Sequence, residues 1–371
     1  MKFADIIGQE KIKQQLVKSV ENKKLSHALM FLGSEGNGAL ALAIAFAQYV
    51  NCENKTGSDS CGECPSCAKS SKYAHPDIHY SFPVIKKETK PPISLDYIKE
   101  WRKALIENPY MSYLDWLNYM DFENKQGNIT IEECHSIIKT LSLKAFEGNY
   151  KVLIMWLPEF LGKSGNTLLK IIEEPAPNTL FIFVAHDREL ILNTILSRTQ
   201  IIPVPKLNNS DITDKLITDY ELSAELANDI ALLANGNYSE AARLMNSENN
   251  SHFESFVKWM RACWNPNMLE VLQWVNENAE KGRENIKDFL LFSIRMMRES
   301  ALIKFDLNKI SKVSEKESEF VFKFSGRLNQ NNLPQLYELL NKSYYYIERN
   351  ANPKILFFDL SLQVHKLINT K

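Results

Sequence analysis

HALMFLGSEGNGALALAIAFAQYV runs from His27 to Val50, and the reading of this stretch decides the fold. His27 to Leu32 is an apolar run of strand length, and Gly33, Gly36 and Gly38 follow it. From Ala39 to Val50 the residues are strong helix formers, apolar on nearly every face, which is the composition of a helix buried against a sheet. Strand, glycine loop and buried helix form the entry to an α/β nucleotide-binding fold. The loop has the outline G-x-x-x-x-G-K-[ST], with Gly33 and Gly38 at its two glycine positions. Ala39 and Leu40 stand where a lysine would neutralise terminal phosphates and a hydroxyl would hold magnesium.

Working outward, Ile12, Leu16 and Val20 give an amphipathic helix before the first strand. Further on, KVLIMWL (Lys151 to Leu157) and TLFIFVA (Thr179 to Ala185) are continuous apolar runs suited to buried parallel strands. KSGNTLLKIIEE between them reads as a helix stopped by Pro175 and Pro177, and QIIPVP as a further strand ending at Pro203 and Pro205. A polar, proline-containing stretch from about residue 72 to 128 reads as an insertion. Beyond Lys206 the pattern is helical only: a small unit over 211 to 246, then a bundle from about 250 to the end. Asn-rich joints at 246 to 250 and 328 to 332 mark the expected breaks.

The chain has 371 residues, enough for two or three domains, and its 44% hydrophobic and 24% charged content is that of an ordinary soluble protein. With 44 basic against 45 acidic residues, it lacks the bulk charge of a protein that coats DNA. The opening MKFADIIGQEKIKQQL is charged throughout and does not read as a signal peptide, and the longest apolar stretch, Ala39 to Ala47, is too short to span a bilayer. A cytoplasmic location is expected, where clustered cysteines hold metal more often than they form disulfides.

Cys52, Cys61, Cys64 and Cys67 supply that cluster, spaced C-x8-C-x2-C-x2-C. Two-residue spacers let successive thiolates converge, and four sulfurs complete a tetrahedral zinc shell with no open position, so a structural zinc ion is expected. Gly62 and Pro65 add tight-turn chemistry; Cys134 and Cys263 are isolated and read as buried small residues. Where the strand of an ATPase ends in an acidic pair for magnesium, VLIMWLPE places Trp156, Leu157 and Pro158 before a lone Glu159, whose simplest role is that of a solvated helix-start carboxylate. Arg198 in TILSRTQ, taken alone, reads as a surface cation. In the insertion, Trp101, Tyr110, Tyr113, Trp116 and Tyr119 allow stacking on single-stranded DNA, but their spacing favours an accessory helix folded onto the domain or covering a partner.

FADIIGQEKIKQQL, HALMFLGSEGNG, the four cysteines, HPD at 75 to 77, NTLLKIIEEP and TILSR occur in one order. Together they resemble the clamp-loader branch of the AAA+ superfamily, most closely its delta-prime family of bacterial DNA polymerase III. The resemblance covers residues 1 to about 205 most strongly, and NANPKILFFDLSLQ near the end more weakly. It implies an AAA+-type P-loop α/β domain over 1–205 carrying a zinc module at 52–67, a helical lid domain over 206–247 and an all-helical collar over 248–371. It implies a heteropentameric ring that opens a sliding clamp and places it on primed DNA, with gamma/tau-type motor subunits and a delta subunit as partners.

Motor subunits of that family have the lysine, the hydroxyl and the acidic pair, where this chain has Ala39, Leu40 and Trp156. A lid arginine in the pattern G-x-x-R-x-A falls at Ser239 of GNYSEA. The resemblance thus implies a subunit of the polymerase holoenzyme that neither binds ATP nor hydrolyses it, its loop of Gly33, Gly36, Gly38, Ala39 and Leu40 kept as a scaffold turn. Ser197 and Arg198 match the family's serine-arginine motif, which reaches the nucleotide of the next subunit; Thr199 replaces the usual cysteine after it. The competing readings are an ATP-hydrolysing gamma/tau-type motor, which the three losses oppose, and a free-standing zinc-containing DNA-binding protein, which the balanced charge does not advertise.

Overall fold

The computed structural model describes the chain apart from residues 86–90, 121–126, 246–247, 265–267, 308–310, 312, 314, 350 and 370–371. The first half builds a parallel sheet. Its elements are α1 (Glu10–Glu21), β1 (Ala28–Leu32), α2 (Ala39–Asn51), α3 (Pro65–Ser70), β2 (Ile78–Ser81), α4 (Ile98–Glu107), α5 (Tyr113–Tyr119), α6 (Ile131–Leu141), β3 (Lys151–Trp156), α7 (Leu169–Glu173), β4 (Thr179–Ala185), α8 (Asn193–Leu196) and β5 (Gln200–Pro203). The strand order is β2-β3-β4-β1-β5. Every pairing is parallel, with Met30 opposite Phe183 and Ile154 opposite Ile182 at the centre.

β3 and β4 are buried along their whole length, as their unbroken apolar runs require in a sheet covered on both faces. One face packs Met30, Leu153, Met155, Phe181 and Phe183 against Cys134, Ile137 and Leu141 of α6 and Leu168 and Ile172 of the segment around α7. All thirteen residues of α2 are buried, which accounts for its lack of a polar face.

Two expectations are corrected. Ile78–Ser81 is the outer strand of the sheet, paired with β3, so the stretch expected to be an insertion from about 72 carries a strand of the sheet at its start. The segment read as one helix over KSGNTLLKIIEE is a run of 3-10 turns from Pro158 to Leu168, broken at Gly162, with α-helix only from Leu169 to Glu173. Gly162 has φ 47° and ψ −138°, a conformation that no helix contains and that glycine adopts without a Cβ penalty. The insertion's 86–90 and 121–126 lie outside the described residues.

The rest is helical: α9 (Asn209–Tyr220), α10 (Ala224–Ala234), α11 (Tyr238–Met245), α12 (Glu248–Trp264), α13 (Met268–Ala279), α14 (Arg283–Lys304), α15 (Glu315–Ser325), α16 (Asn332–Glu348) and α17 (Pro353–Asn369). Of the first Asn-rich joint, 246–247 lie outside the described residues and α12 already begins at Glu248; the second joint ends where α16 begins. The chain forms two compact units, one of residues 1–227 with 234–241 and one of 228–233 with 242–371. The second has its own core, in which Trp259 stacks on Trp274 at 5.2 Å and donates its indole N–H to Ser361 at 2.8 Å. Among the described residues, no helix is long and apolar enough to cross a membrane.

Candidate functional site

The glycine loop turns from β1 into α2, and its second half is buried: Gly36, Asn37, Gly38, Ala39 and Leu40 are all shielded from solvent. Asn37 ties the turn internally, its side-chain amide donating to Val204 O at 2.8 Å while its Oδ1 accepts from Ala39 N at 3.0 Å. Gln9 Nε2 donates to Asn37 O at 3.2 Å and to Pro205 O at 2.7 Å. Gly36 and Gly38 have positive φ, and both meet close neighbours. A Cβ at Gly36 would stand 1.7 Å from Asn237 Oδ1, and one at Gly38 would stand 2.8 Å from the Tyr110 ring.

Three more contacts close over the loop. Tyr238 N donates to Gly36 O at 2.9 Å. Tyr113 N donates to Glu35 Oε1 at 2.8 Å. Ser239 donates its hydroxyl to Asp115 Oδ2 at 2.5 Å. Tyr110 lies between these groups, 5% exposed, its ring 5.0 Å from that of Tyr238 and its hydroxyl accepting from Ile7 N at 2.8 Å. Burial pushes the Tyr110 phenol pKa up, so it stays neutral.

Trp156 cannot serve as a magnesium ligand and is used as core instead, its ring 5.3 Å from Trp101. Trp101 in turn stacks on Phe82 at 4.1 Å and meets Trp116 edge-on at 5.2 Å. The insertion's large aromatics are therefore mostly interior, and their accessory helices are folded onto the domain. Glu159 is not a free helix-start carboxylate: its Oε1 accepts from the backbone N–H of His186 and Asp187 at 2.5 and 2.8 Å, tying the ends of β3 and β4 together.

Cys52 follows the end of α2, Gly62 takes a positive φ right after Cys61, and Cys64 caps α3 with Pro65 in its first turn. This local path brings the four sulfurs within 4.8 Å of one another, with Cys52 and Cys61 3.6 Å apart and Cys61 and Cys67 3.9 Å apart. Four thiolates around one ion at a metal–sulfur distance of about 2.3 Å stand about 3.8 Å apart, so the cluster fits a single four-coordinate metal ion. Backbone N–H groups of Cys64 and Glu63 aim at the Cys61 sulfur at 3.3 and 3.5 Å and lower its pKa to about 6. Burial has the opposite effect on Cys52 and Cys67, raising both thiols, and it is the charge of a bound metal that turns such groups into thiolates. Cys134 and Cys263 are buried and stand apart from the cluster.

The HPD stretch anchors a loop. Asp77, 1% exposed, accepts from the backbone N–H groups of Phe146, Glu147 and Gly148 at 2.6, 2.8 and 2.8 Å, while His75 Nδ1 accepts from Asp77 N. Burial alone would raise the Asp77 pKa, but the three donors outweigh it and hold the carboxyl below its ordinary range.

Ser197 closes α8 and Arg198 follows it, on the surface. The guanidinium is held from one side: Nε donates to Glu173 Oε2 at 3.0 Å, Nη2 lies 2.9 Å from the same oxygen, and Nη1 donates to Thr194 O at 3.1 Å. The structure thus joins TILSR to the end of NTLLKIIEEP. Sequence reading overlooked Glu173, although it lies in a quoted motif, and it overlooked Tyr110 and Asp115 as loop neighbours because nothing local announces those contacts.

A family model described as "DNA polymerase III, delta subunit" matches residues 8–208, more than half of the 371. The chain belongs to this family. Among curated relatives, the DNA polymerase III tau subunit of Bacillus subtilis (strain 168) is 24% identical, over 96% of this chain and 60% of that protein. The delta-prime subunit of the same organism is 27% identical, over 67% of this chain and 62% of that one. The delta-prime subunit of Haemophilus influenzae is 26% identical over 51% and 46%. The chain thus spans less than two thirds of the length of these relatives. Among solved structures, a DNA polymerase III gamma subunit-related protein of Thermotoga maritima aligns with a TM-score of 0.38 and 15% identity over 96% of this chain and 99% of that one, too distant to carry an argument.

For a polymerase III delta-family chain, the site divides into a glycine loop covered by its own fold, a four-cysteine cluster that fits a metal, and a surface arginine set on a carboxylate. Each is held by different elements of the sheet-containing unit.

Proposed function

We propose that this chain is a delta-prime-like subunit of the DNA polymerase III clamp loader that does not hydrolyse ATP itself. The observation that carries the reading is the contrast between the loop and the arginine. Ala39, Leu40, Trp156 and Ser239 stand where charges and a hydroxyl would hold Mg-ATP, and the second half of the loop is buried under protein. Arg198 keeps its guanidinium at the surface, where it can reach another molecule.

In this reading Arg198 leaves or shares Glu173 to donate two parallel hydrogen bonds to the terminal phosphate of ATP held by a neighbouring gamma/tau-type subunit, with Ser197 shaping the turn before it. The positive charge offsets charge developing on the transferred phosphoryl group. Cys52, Cys61, Cys64 and Cys67 would hold one structural zinc ion, whose chemistry is to pin the turn after α2, with no open position for a substrate. Residues 1–205 serve as the AAA+-like domain, 206–247 as the lid and 248–371 as the collar through which the ring assembles. The partners are the motor subunits and delta, and through the complex the sliding clamp and primed DNA, in the cytoplasm.

The tau relative raises the alternative of a motor subunit, and the same four positions argue against it. The experiment is co-assembly: the purified chain mixed with motor and delta subunits of its own organism is expected to enter a complex that loads clamps on primed DNA. Failure to co-purify with either partner contradicts the reading.

A further inference from the structure

The insertion accounts for a feature that the missing lysine and hydroxyl do not. Loss of those side chains does not by itself cover the loop, yet Gly36 to Leu40 are buried by groups of this chain. The covering groups come from two segments far apart in sequence: Tyr110, Tyr113 and Asp115 of the insertion, and Asn237 to Ser239 at the start of α11.

We propose that Tyr110 to Asp115 act as a built-in replacement for a nucleotide, occupying the mouth of the degenerate loop and fastening the 237–239 segment over it. This deepens the reading of a subunit that works without ATP, and rests on it. A bound nucleotide presents a flat ring and anionic oxygens to the groups around such a loop. The insertion presents both. The Tyr110 ring fills the space against Gly38 and Tyr238, and its hydroxyl takes the Ile7 N–H at 2.8 Å.

The Asp115 carboxylate provides the anion. It accepts from the Ser239 hydroxyl at 2.5 Å and from Ser112 N at 2.7 Å, so one carboxylate joins the insertion to the position where the family has its lid arginine. The short Ser239 hydroxyl reaches this carboxylate directly while the neighbouring Tyr238 N–H is committed to Gly36 O. Tyr113 N completes the closure by donating to Glu35. The result is a segment clamped to the loop at all times, whereas a nucleotide would clamp it only when bound. A subunit that lends an arginine to its neighbour gains a fixed shape from this arrangement.

The test is hydrogen exchange on the full chain, read by mass spectrometry. In Tyr110→Ala with Asp115→Ala, amide exchange across Gly36–Gly38 and Tyr238–Ala241 is expected to speed up at least tenfold, while Val152–Met155 in β3 keeps its protection. Tyr119→Ala, in the same insertion but outside these contacts, is expected to change neither. If the double variant does not fold, Tyr110→Phe with Ser239→Ala removes two ties with almost no loss of volume and is expected to shift the same peptides in the same direction. Unchanged exchange in a folded variant of either kind overturns the proposal. A fluorescent ATP analogue separates the two levels: micromolar binding by the unaltered chain contradicts the reading of a subunit that works without ATP and the replacement with it, while no binding together with unchanged exchange overturns the replacement alone.

Discussion

Arg198 rests on Glu173, its Nε donating to Glu173 Oε2 at 3.0 Å with Nη2 2.9 Å from the same oxygen. The two residues lie at the ends of separate motifs, and the pair sets where the guanidinium points before any partner arrives. Glu173 is 59% exposed and Arg198 32%, so the pair contributes little to folding, about 1 kcal/mol at most. Glu173→Gln is therefore expected to leave thermal stability nearly unchanged. Its effect should appear in the assembled loader as a modest slowing of stimulated ATP hydrolysis, up to about fivefold, matching a positioning contribution of the same size. A large loss of stability in urea unfolding would assign Glu173 a structural role instead.

The cysteine cluster predicts about one zinc per chain by metal analysis of protein purified without chelator. Cys64→Ser removes a ligand that also caps α3, and is expected to weaken zinc binding by more than the roughly 10- to 100-fold typical of outer-shell changes. Four thiols freely reactive in fresh protein, with no zinc found, would contradict the assignment.

Asp77 predicts an acid-sensitive loop. Its folded pKa is depressed, so its stabilisation is fully present above the unfolded value of about 3.9 and is lost as pH falls through the lower folded value. Asp77→Ala leaves three backbone N–H groups without their acceptor and should cost about 2–3 kcal/mol at pH 7 by urea unfolding. A cost near zero would mean that the 146–148 backbone finds other partners.

His79 acts in a milder range. Burial lowers its pKa to about 4 in the folded chain, against about 6.5 unfolded, so the unfolded state takes up the proton first and stability falls as pH drops from about 6.5 to 4. Between pH 7 and 5 the His79 share of that fall is about 2 kcal/mol at most. His79→Gln should lose less stability over this interval than the parent chain; equal losses would show that His79 takes up its proton alike in the folded and unfolded chain.

The legible part of this chain was what depends on local pattern. β3 and β4 announced themselves because a strand buried on both faces is an unbroken apolar run, and α2 because a helix buried all round has no polar face. Ile78–Ser81 did not, being four residues long with a histidine, at the sheet's outer position where one side needs no apolar partner. The convergence of the four cysteines was readable because they lie within sixteen residues of chain, Cys52 to Cys67. The cover over the glycine loop was not, since it pairs Tyr110 with Ile7 across 103 residues and Asp115 with Ser239 across 124, and such contacts leave no periodicity.

The missing phosphate contacts predict that the isolated chain does not bind Mg-ATP usefully. Each lost charged contact typically costs about 1.5 to 3 kcal/mol, and several are absent together. Calorimetry should give no micromolar isotherm, and purified chain should show no turnover; a micromolar isotherm would contradict the expectation that the loop holds no ATP, and turnover would contradict the non-hydrolysing reading.

The most direct test of the central claim is the rate of DNA- and clamp-stimulated ATP hydrolysis by a complete clamp loader carrying Arg198→Ala. The variant chain should remain folded, metal-loaded and able to assemble, because Arg198 bonds only to surface groups. An arginine acting on a neighbour's phosphoryl transfer contributes about three orders of magnitude or more at the site it serves, so one silenced site should lower the total rate measurably. Arg198→Lys, which offers a point charge in place of a planar fork, should also be defective. The account predicts slowed hydrolysis and clamp loading in a correctly assembled complex; unchanged rates in that complex would contradict it and leave Arg198 a surface cation.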